Sequence, residues 1–241
     1  MPHGQRDWSN IGAEKTVHGL MDVGELAARL GSPVTFNREG YVLLMDTFEY
    51  GHGRWSLNGI DPYEAEISAE WSRYGAYSLK FSVAADAGKY ALMDSTFPYP
   101  VAGKYGVEFS TRIDTHISLI HVDLRFYDGV VRQKYLFYLY PIDENLYIWD
   151  RDKAYTVIVD PLPISAEGQL WHTIKVVVDM ENQYFQRMIV DNMEYDLSDY
   201  RPTLFSTTVA PYASIRLQFY GHGSGAGTAY VDDVILTQNE P

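Results

Sequence analysis

The sequence predicts an all-β protein, a sandwich of two antiparallel sheets preceded by a short N-terminal extension. Short runs in which apolar and polar residues alternate recur along most of the chain, at roughly one per ten residues. Turns that contain glycine, asparagine, aspartate or proline separate most of these runs. After residue 31 the sequence shows no further helical pattern, repeat or linker. This combination is typical of one large β-sandwich.

The composition agrees with one folded domain and excludes several classes of function. With 241 residues, 46% of them hydrophobic and 15% aromatic, the chain can bury a sizeable core. A formal net charge of −13 argues against nucleic-acid binding, which needs basic side chains to neutralise phosphates, and against binding to an anionic membrane. Because there is no cysteine, disulfides and thiolate chemistry are excluded.

Residues 1–31 are predicted to form a polar arm and one short helix. Asp22 and Glu25 have the spacing of a capping box, and Gly31 is placed to end the helix. The polar start lacks the apolar core of a signal peptide, so we expect synthesis in the cytoplasm. The apolar residues of this segment would contact a partner subunit or pack on the protein's own sandwich: Trp8, Ile11, Leu20, Val23, Leu26 and Leu30.

Residues 32–241 are predicted to form the sandwich, with 32–45 as a hairpin that leads into it. The run 41–51 is expected to pair with 228–238, as first and last strands whose ends meet. Strict alternation would put Asp232 and Asp233 on opposite sides of the last strand, with Val234 and Leu236 on the side of Asp232. The strands between are predicted at 64–71, 77–83, 89–97, 105–113, 118–127, 133–140, 146–149, 154–159, 172–178, 185–190 and 214–220.

Four of these strands alternate clearly enough to define an outer face. If they share a sheet, that face combines aromatic rings with charged groups. Such a face suits glycan binding, because rings stack on a pyranose while charged groups bond its hydroxyls. It also suits a protein–protein interface, or a solvated face with cross-strand ion pairs. The predicted face consists of Arg112, His121, Asp123, Arg125, Tyr127, Tyr138, Arg216 and Tyr220.

Several motifs resemble concanavalin A-like domains. Residues 171–197, WHTIKVVVDMENQYFQRMIVDNMEYDL, resemble the Trp-His strand, hairpin and Val-Asp-Asn turn of laminin-G, pentraxin and legume-lectin relatives. MDTFEYGHGRW (45–55), GAYSLKF (75–81) and AYVDDVIL (229–236) resemble bacterial carbohydrate-binding jelly rolls. The resemblance implies a jelly roll of two antiparallel sheets with one concave face. It also implies an alternative function, a carbohydrate-binding module or lectin that uses this face.

The same resemblance implies a structural calcium ion. In some carbohydrate-binding jelly rolls, acids from the first and last strands hold calcium, which prefers carboxylate and carbonyl oxygens. The matching positions here are Glu49 and one of Asp232 or Asp233, with Asp46 as a further candidate. The alternative is that these acids cap loops or lie in water. No cofactor is expected to be required.

The N-terminal RDWSNIGAEKT, followed by ELAARLGS, is similar to structural proteins of tailed bacteriophages that have a concanavalin A-like body. This resemblance implies a virion component, a capsid decoration or tail protein that forms a homo-oligomer. Its arm would contact other virion proteins such as a major capsid protein. The leading expectation is therefore a non-enzymatic virion protein made in the host cytoplasm; secretion is the alternative location.

No catalytic motif is found, so we expect no enzyme activity, and a glycoside hydrolase ranks third among the functions. Glucanases of this architecture resemble one another in a strand with E-x-D-x-x-E, whose alternate carboxylates act as acid/base and nucleophile. The pairs Glu64/Glu66 and Asp150/Asp152 lack the third acid. Glu108 and Asp123 are a weaker pair that could face one groove.

Overall fold

The computed structural model describes residues 40–152, 154–159, 161–164, 170–206 and 208–241. Within these ranges the chain forms sixteen strands and no helix, which confirms the predicted all-β sandwich. No helix that could cross a membrane occurs in the same ranges. The predicted arm, the predicted helix and the start of the predicted hairpin, up to residue 39, lie outside the described residues.

One sheet, sheet A, contains the first and last strands. Its members are β1 (Tyr41–Asp46), β3 (Tyr63–Ser68), β4 (Ser78–Val83), β6 (Lys104–Ile113), β11 (Trp171–Asp179), β12 (Tyr184–Val190), β13 (Met193–Asp196) and β16 (Gly227–Gln238). Their order across the sheet is β13-β12-β11-β6-β16-β4-β3, and β1 also pairs with β16. On one side, β16 pairs with β4 through its first half and with β1 through its second half.

The other sheet, sheet B, contains a meander of four consecutive strands. Its members are β2 (Ser56–Gly59), β5 (Tyr90–Pro98), β7 (Ile117–Tyr127), β8 (Val131–Tyr140), β9 (Asn145–Asp150), β10 (Ala154–Val159), β14 (Thr203–Ser206) and β15 (Tyr212–Gly221). Their order is β10-β9-β8-β7-β15-β5-β2, and β14 also pairs with β8. All pairings in both sheets are antiparallel.

The predicted pairing of the first and last strands is confirmed. Tyr41 pairs with Gln238 and Asp46 with Val234. β1 ends earlier than the predicted run to residue 51, because the chain turns after Asp46. The Asp46 carboxylate accepts a hydrogen bond from the backbone N–H of Phe48, whose φ of 58° places it in the left-handed region.

A β-bulge at Asp233 reverses the alternation of β16. The register with β6 shifts between Asp232 and Ile235, and Asp233 has a φ of 50°. Before the bulge Val231 lies in the core; after it Val234 and Leu236 do. The predicted strict alternation is therefore wrong for the second half of β16, because an extra residue moves each later side chain to the other face.

The hydrophobic core lies between the two sheets, and aromatic side chains from both sheets meet in it. The ring of Phe81 in β4 lies 5.2 Å from that of Phe219 in β15, centroid to centroid. Phe185 in β12 meets Phe137 in β8 at 5.1 Å, edge to face. Because core and outer side chains alternate along each strand of sheet B, the residues between the core positions form a continuous outer face.

Candidate functional site

Seven of the eight residues of the predicted ligand face lie together on the outer face of sheet B. β7 runs between β8 and β15, and His121 pairs with Tyr138 on one side and with Gln218 on the other. Asp123 pairs with Arg216 in the next row. The seven residues are His121, Asp123, Arg125 and Tyr127 of β7, Tyr138 of β8, and Arg216 and Tyr220 of β15.

Arg112 is the exception, because its strand β6 belongs to sheet A. The Arg112 guanidinium lies 3.8 Å from the ring centroid of Trp71, at a cleft of about 260 Å³ that Tyr230 also lines. The prediction of a shared face is wrong for Arg112, since alternation reveals which side of a strand a residue occupies but not which sheet the strand joins. Glu108 also lies in β6, so it does not share a groove with Asp123.

An ionic cluster occupies the middle of the outer face and consists of Asp94, Asp123, Arg125, Lys134 and Arg216. The Asp123 side chain is fully buried, and its Oδ2 accepts hydrogen bonds from Nε, at 2.8 Å, and Nη2 of Arg125. Lys134 Nζ lies 3.8 Å from the same oxygen, and burial lowers the pKa of Lys134. Arg216 lies 3.8 Å from Asp94. Asp123 Oδ1 has no hydrogen-bond partner within the described residues.

His121 lies beside this cluster and is only 8% exposed. Its ring stacks on Tyr138, with centroids 4.6 Å apart. Neither ring nitrogen makes a hydrogen bond of good geometry within the described residues, although the Gln218 amide lies beside the ring. Burial lowers the pKa of His121 to about 4, and the nearby charges of Lys134 and Arg125 also lower it, whereas Asp123 raises it. The imidazole is therefore neutral at pH 7.

An aromatic cluster adjoins His121 and consists of Tyr138, Tyr140, Tyr147, Trp149 and Tyr155. Tyr147 and Tyr155 stack at 4.4 Å, and the Tyr155 hydroxyl donates to that of Tyr140 at 2.7 Å. Trp149 remains 42% exposed and Tyr155 41% exposed. Burial raises the pKa of Tyr138 to about 12, so its hydroxyl stays protonated and can donate. The cluster forms a surface of contacting rings that is open to solvent at Trp149 and Tyr155.

A second group of rings lies at the other end of β7. Tyr127 is 4% exposed and stacks on Tyr212 at 4.1 Å, centroid to centroid. The Arg132 guanidinium lies 4.4 Å from the ring centroid of Phe205 and 5.5 Å from that of Tyr127. Because Tyr127 is packed in this way, truncating it would change the local structure as well as any contact with a ligand.

Sequence reasoning missed several residues of this face. β9 and β10 were predicted as strands, yet their outward side chains were not assigned to a site. The signal was available in β9, where Tyr147 and Trp149 alternate with the core residues Leu146 and Ile148. The residues missed are Lys134, Tyr140, Tyr147, Trp149, Tyr155 and Gln218.

Three of the four acids predicted as calcium ligands, Asp46, Glu49 and Asp232, accept hydrogen bonds from N–H groups. Asp46 accepts from the Trp55 indole through Oδ2 at 3.0 Å, in addition to the Phe48 amide through Oδ1. Its two oxygens are thus both occupied. Asp233 is the bulge residue. Among the described residues, no three or more His, Cys, Asp or Glu side chains are grouped to hold a metal ion.

Glu49 and Asp232 together anchor the loop that precedes β4. Glu49 Oε1 accepts from the amides of Ala76 and Tyr77 at 2.7 and 3.0 Å. Asp232 Oδ2 accepts from the amide of Arg73 at 2.8 Å. Burial raises the pKa of Asp232 to about 6, and the charge of Glu49 adds to this rise. Asp232 Oδ1 also accepts, from the amide of Asp233 at 2.8 Å, so both of its oxygens are occupied like those of Asp46. Calcium binding stays a prediction.

Glu49→Ala is expected to lower the free energy of unfolding by about 1–2 kcal/mol, because two loop amides lose a charged acceptor. Urea unfolding measures the change, and Glu66→Ala in β3, an exposed glutamate, is the control. Both measurements are repeated with added calcium and with chelator, which tests whether a calcium ion bound at Glu49 stabilises the protein. Equal stability of the two variants would show that Glu49 does not anchor the loop.

No family model matches the chain, and no curated protein matches its sequence. Among solved structures, it is similar to an endo-β-1,4-glucuronan lyase from the fungus Trichoderma reesei, with a TM-score of 0.57 and 11% identity over 83% of this chain and 96% of that one. It is also similar to a carbohydrate esterase from the Shiga toxin-encoding bacteriophage phi24B, with a TM-score of 0.55 and 13% identity over 84% and 100%. A third similar structure comes from work on endo-acting O-glycanases of the human gut microbiota, with a TM-score of 0.51 and 12% identity over 83% and 100%. At these identities the likeness concerns the fold alone, and it confirms a jelly-roll sandwich.

Proposed function

We propose that this protein binds a glycan on the outer face of sheet B. The observation that carries the proposal is a group of buried polar atoms without hydrogen-bond partners in the described part of the chain. They are both ring nitrogens of His121, Oδ1 of Asp123 and Nε of Arg216. Each such atom costs about 1–3 kcal/mol when left unpaired, so a polar partner that reaches it, from water or from a ligand, is favoured. Sugar hydroxyls both donate and accept, and therefore suit this mixed set.

The aromatic cluster supports the same ligand class. A sugar ring has an apolar face that packs against an aromatic side chain. Trp149 and Tyr155 expose about two-fifths of their surface on this face, at 42% and 41%. Through Tyr138 the cluster is continuous with His121. A glycan lying from β15 across β7 to β10 would thus contact the rings and the partly exposed side chains of Arg125, Lys134 and Arg216.

The similar structures are compatible with this ligand class. By their names, they concern a glucuronan lyase, a carbohydrate esterase and O-glycanases, all of which act on carbohydrate. The same sandwich therefore serves several kinds of carbohydrate chemistry. Which kind applies to this chain depends on its own side chains.

We propose binding without cleavage. Retaining and inverting glycosidases need two carboxyl groups that are free to exchange protons or attack the sugar. On this face Asp123 is bonded to Arg125, and Asp94 is paired with Arg216. These pairings support a binding role. To test this, the protein is incubated with a polysaccharide that it binds, and new reducing ends or unsaturated products are assayed. Sustained turnover would contradict binding without cleavage.

Trp149→Ala is expected to weaken glycan binding by about tenfold or more, because a partly exposed tryptophan in a binding surface contributes about 2 kcal/mol. Titration calorimetry with the glycan selected from an array measures the loss. Tyr50→Ala is the control, since Tyr50 is 88% exposed and lies in the loop after β1. Equal losses for the two variants, or no loss for Trp149→Ala, would exclude the aromatic cluster as the binding surface.

The predicted virion role remains a prediction. The residues expected to carry it, in 1–31, lie outside the described residues. Its test is deletion of residues 1–31, which should leave a folded sandwich that no longer assembles with its partner subunits. Normal assembly of the shortened protein would contradict it.

A further inference from the structure

We infer that the ligand of this face is an acidic glycan, one whose sugars carry carboxylates, as hexuronates and sialates do. This inference rests on the proposed function, because it names the class of glycan for the same surface. It follows from the net charge of the surface, which is positive although the net charge of the whole chain is negative.

The strands at the centre of the face, β5, β7, β8 and β15, place an excess of cations on it. Four cations, Arg125, Arg132, Lys134 and Arg216, face outward against the two carboxylates Asp94 and Asp123. The difference is a formal charge of +2, in a chain whose formal net charge is −13. A random surface of so acidic a protein would be negative. This face therefore attracts anions where the rest of the chain repels them.

The carboxylates of the face neutralise only part of this positive charge. Both Arg125 and Lys134 face Oδ2 of Asp123, so a single negative charge compensates only one of the two positive charges. Arg132 stacks on rings, and no carboxylate lies within ion-pair distance of it among the described residues. At least two positive charges are left for a ligand.

Arg216 is the cation that is best placed to bind a carboxylate. Its Nη2 lies 3.8 Å from Asp94, which is too long for a hydrogen bond, and its Nε is buried without a partner in the described residues. The planar guanidinium presents parallel N–H groups that match the two oxygens of a carboxylate. The partly buried setting strengthens such a contact, because solvent screens it less than at an open surface.

A neutral glycan would satisfy the unpaired atoms but would leave the excess charge uncompensated. A carboxylate does both, since it accepts from Arg216 and neutralises the face. The sugar rings would then lie toward the aromatic cluster, with His121 between the two regions. The face thus has a polar, cationic part for the acidic group and an aromatic part for the ring.

The experiment uses matched pairs of glycans that differ only in charge. Oligosaccharides of β-1,4-linked glucuronate are compared with cello-oligosaccharides of equal length, and sialylated glycans with their desialylated forms, on the full chain. We expect the acidic member of at least one pair to bind about tenfold more tightly, with an affinity that falls as salt rises. Equal binding within every pair overturns the inference, and so does binding of sulfated glycans alone when these are tested as well. Either result is still compatible with the proposed glycan binding. Failure of every glycan to bind overturns the proposed function as well.

Arg216→Gln separates charge recognition from general binding. It should weaken the acidic member by about tenfold and the neutral member by clearly less. Arg54→Gln is the matched control, because Arg54 is an exposed arginine in the loop before β2. Lys134→Gln is measured in parallel. It removes a second positive charge of the face and keeps the test valid if Arg216→Gln misfolds. Equal loss for acidic and neutral members in both variants would contradict the inference.

Discussion

Asp123→Asn is expected to lower the free energy of unfolding by about 3 kcal/mol, because it removes one partner of a buried ion pair. The Asp123 side chain is 0% exposed and is the carboxylate that both Arg125 and Lys134 face. Asparagine keeps the shape but not the charge, so two cations remain desolvated without compensation. Urea unfolding followed by tryptophan fluorescence measures the difference.

Two further variants test this reason. Asp94→Asn removes a carboxylate that is 26% exposed and 3.8 Å from its arginine, and should cost less than about 1 kcal/mol. Combining Asp123→Asn with Arg125→Met should recover part of the loss, because the uncompensated charge goes with it. If Asp123→Asn is no more harmful than Asp94→Asn, the ionic cluster does not stabilise the fold in this way.

Stability is expected to depend on pH through His121, by up to about 3 kcal/mol between pH 4 and 6.5. The pKa of His121 in the folded protein is lowered from 6.5 to about 4, first by burial. In this window the unfolded chain therefore binds more protons than the folded one. The contribution of the neutral ring is fully present above pH 6.5 and is lost as the pH falls toward 4.

The difference between wild type and His121→Phe isolates this contribution from the other histidines. Phenylalanine can keep the stack on Tyr138 but does not titrate. The stability of the variant relative to wild type should rise by roughly 2–3 kcal/mol as the pH is lowered from 7 to 4.5. His52→Phe, at an exposed histidine, is the control and should follow wild type. Parallel profiles of wild type and His121→Phe would contradict the assignment.

The alternation of apolar and polar residues predicted most of the fold, because nearly all central strands have one face in the core. Every strand predicted from residue 41 onward has a counterpart in the structure. The strands without a prediction, β2, β13 and β14, are four residues long, and each pairs with a single neighbour. β2 contains Asn58-Gly59, which is typical of a turn. Its strand geometry comes from pairing with β5, a tertiary contact that local sequence does not encode.

The candidate site was predicted in part for the same reason. The outward residues of β7, β8 and β15 follow from alternation, and their register brings them together. Arg112 was misplaced because the pattern of β6 resembles that of β7, although the two strands join different sheets. The bulge at Asp233 escaped prediction because aspartate adopts a positive φ only where the surrounding pairing requires it.

The central claim is that a glycan binds the outer face of sheet B, and the tryptophan indole N–H signals test it most directly. Trp149 is 42% exposed on that face, while Trp71 is 49% exposed beside Arg112 of sheet A. In a ¹H–¹⁵N titration with the matched acidic and neutral glycans, assigned through Trp149→Phe and Trp71→Phe, the Trp149 indole should shift and that of Trp71 should not. A shift of Trp71 alone, or no indole shift with any glycan, would contradict the proposed site.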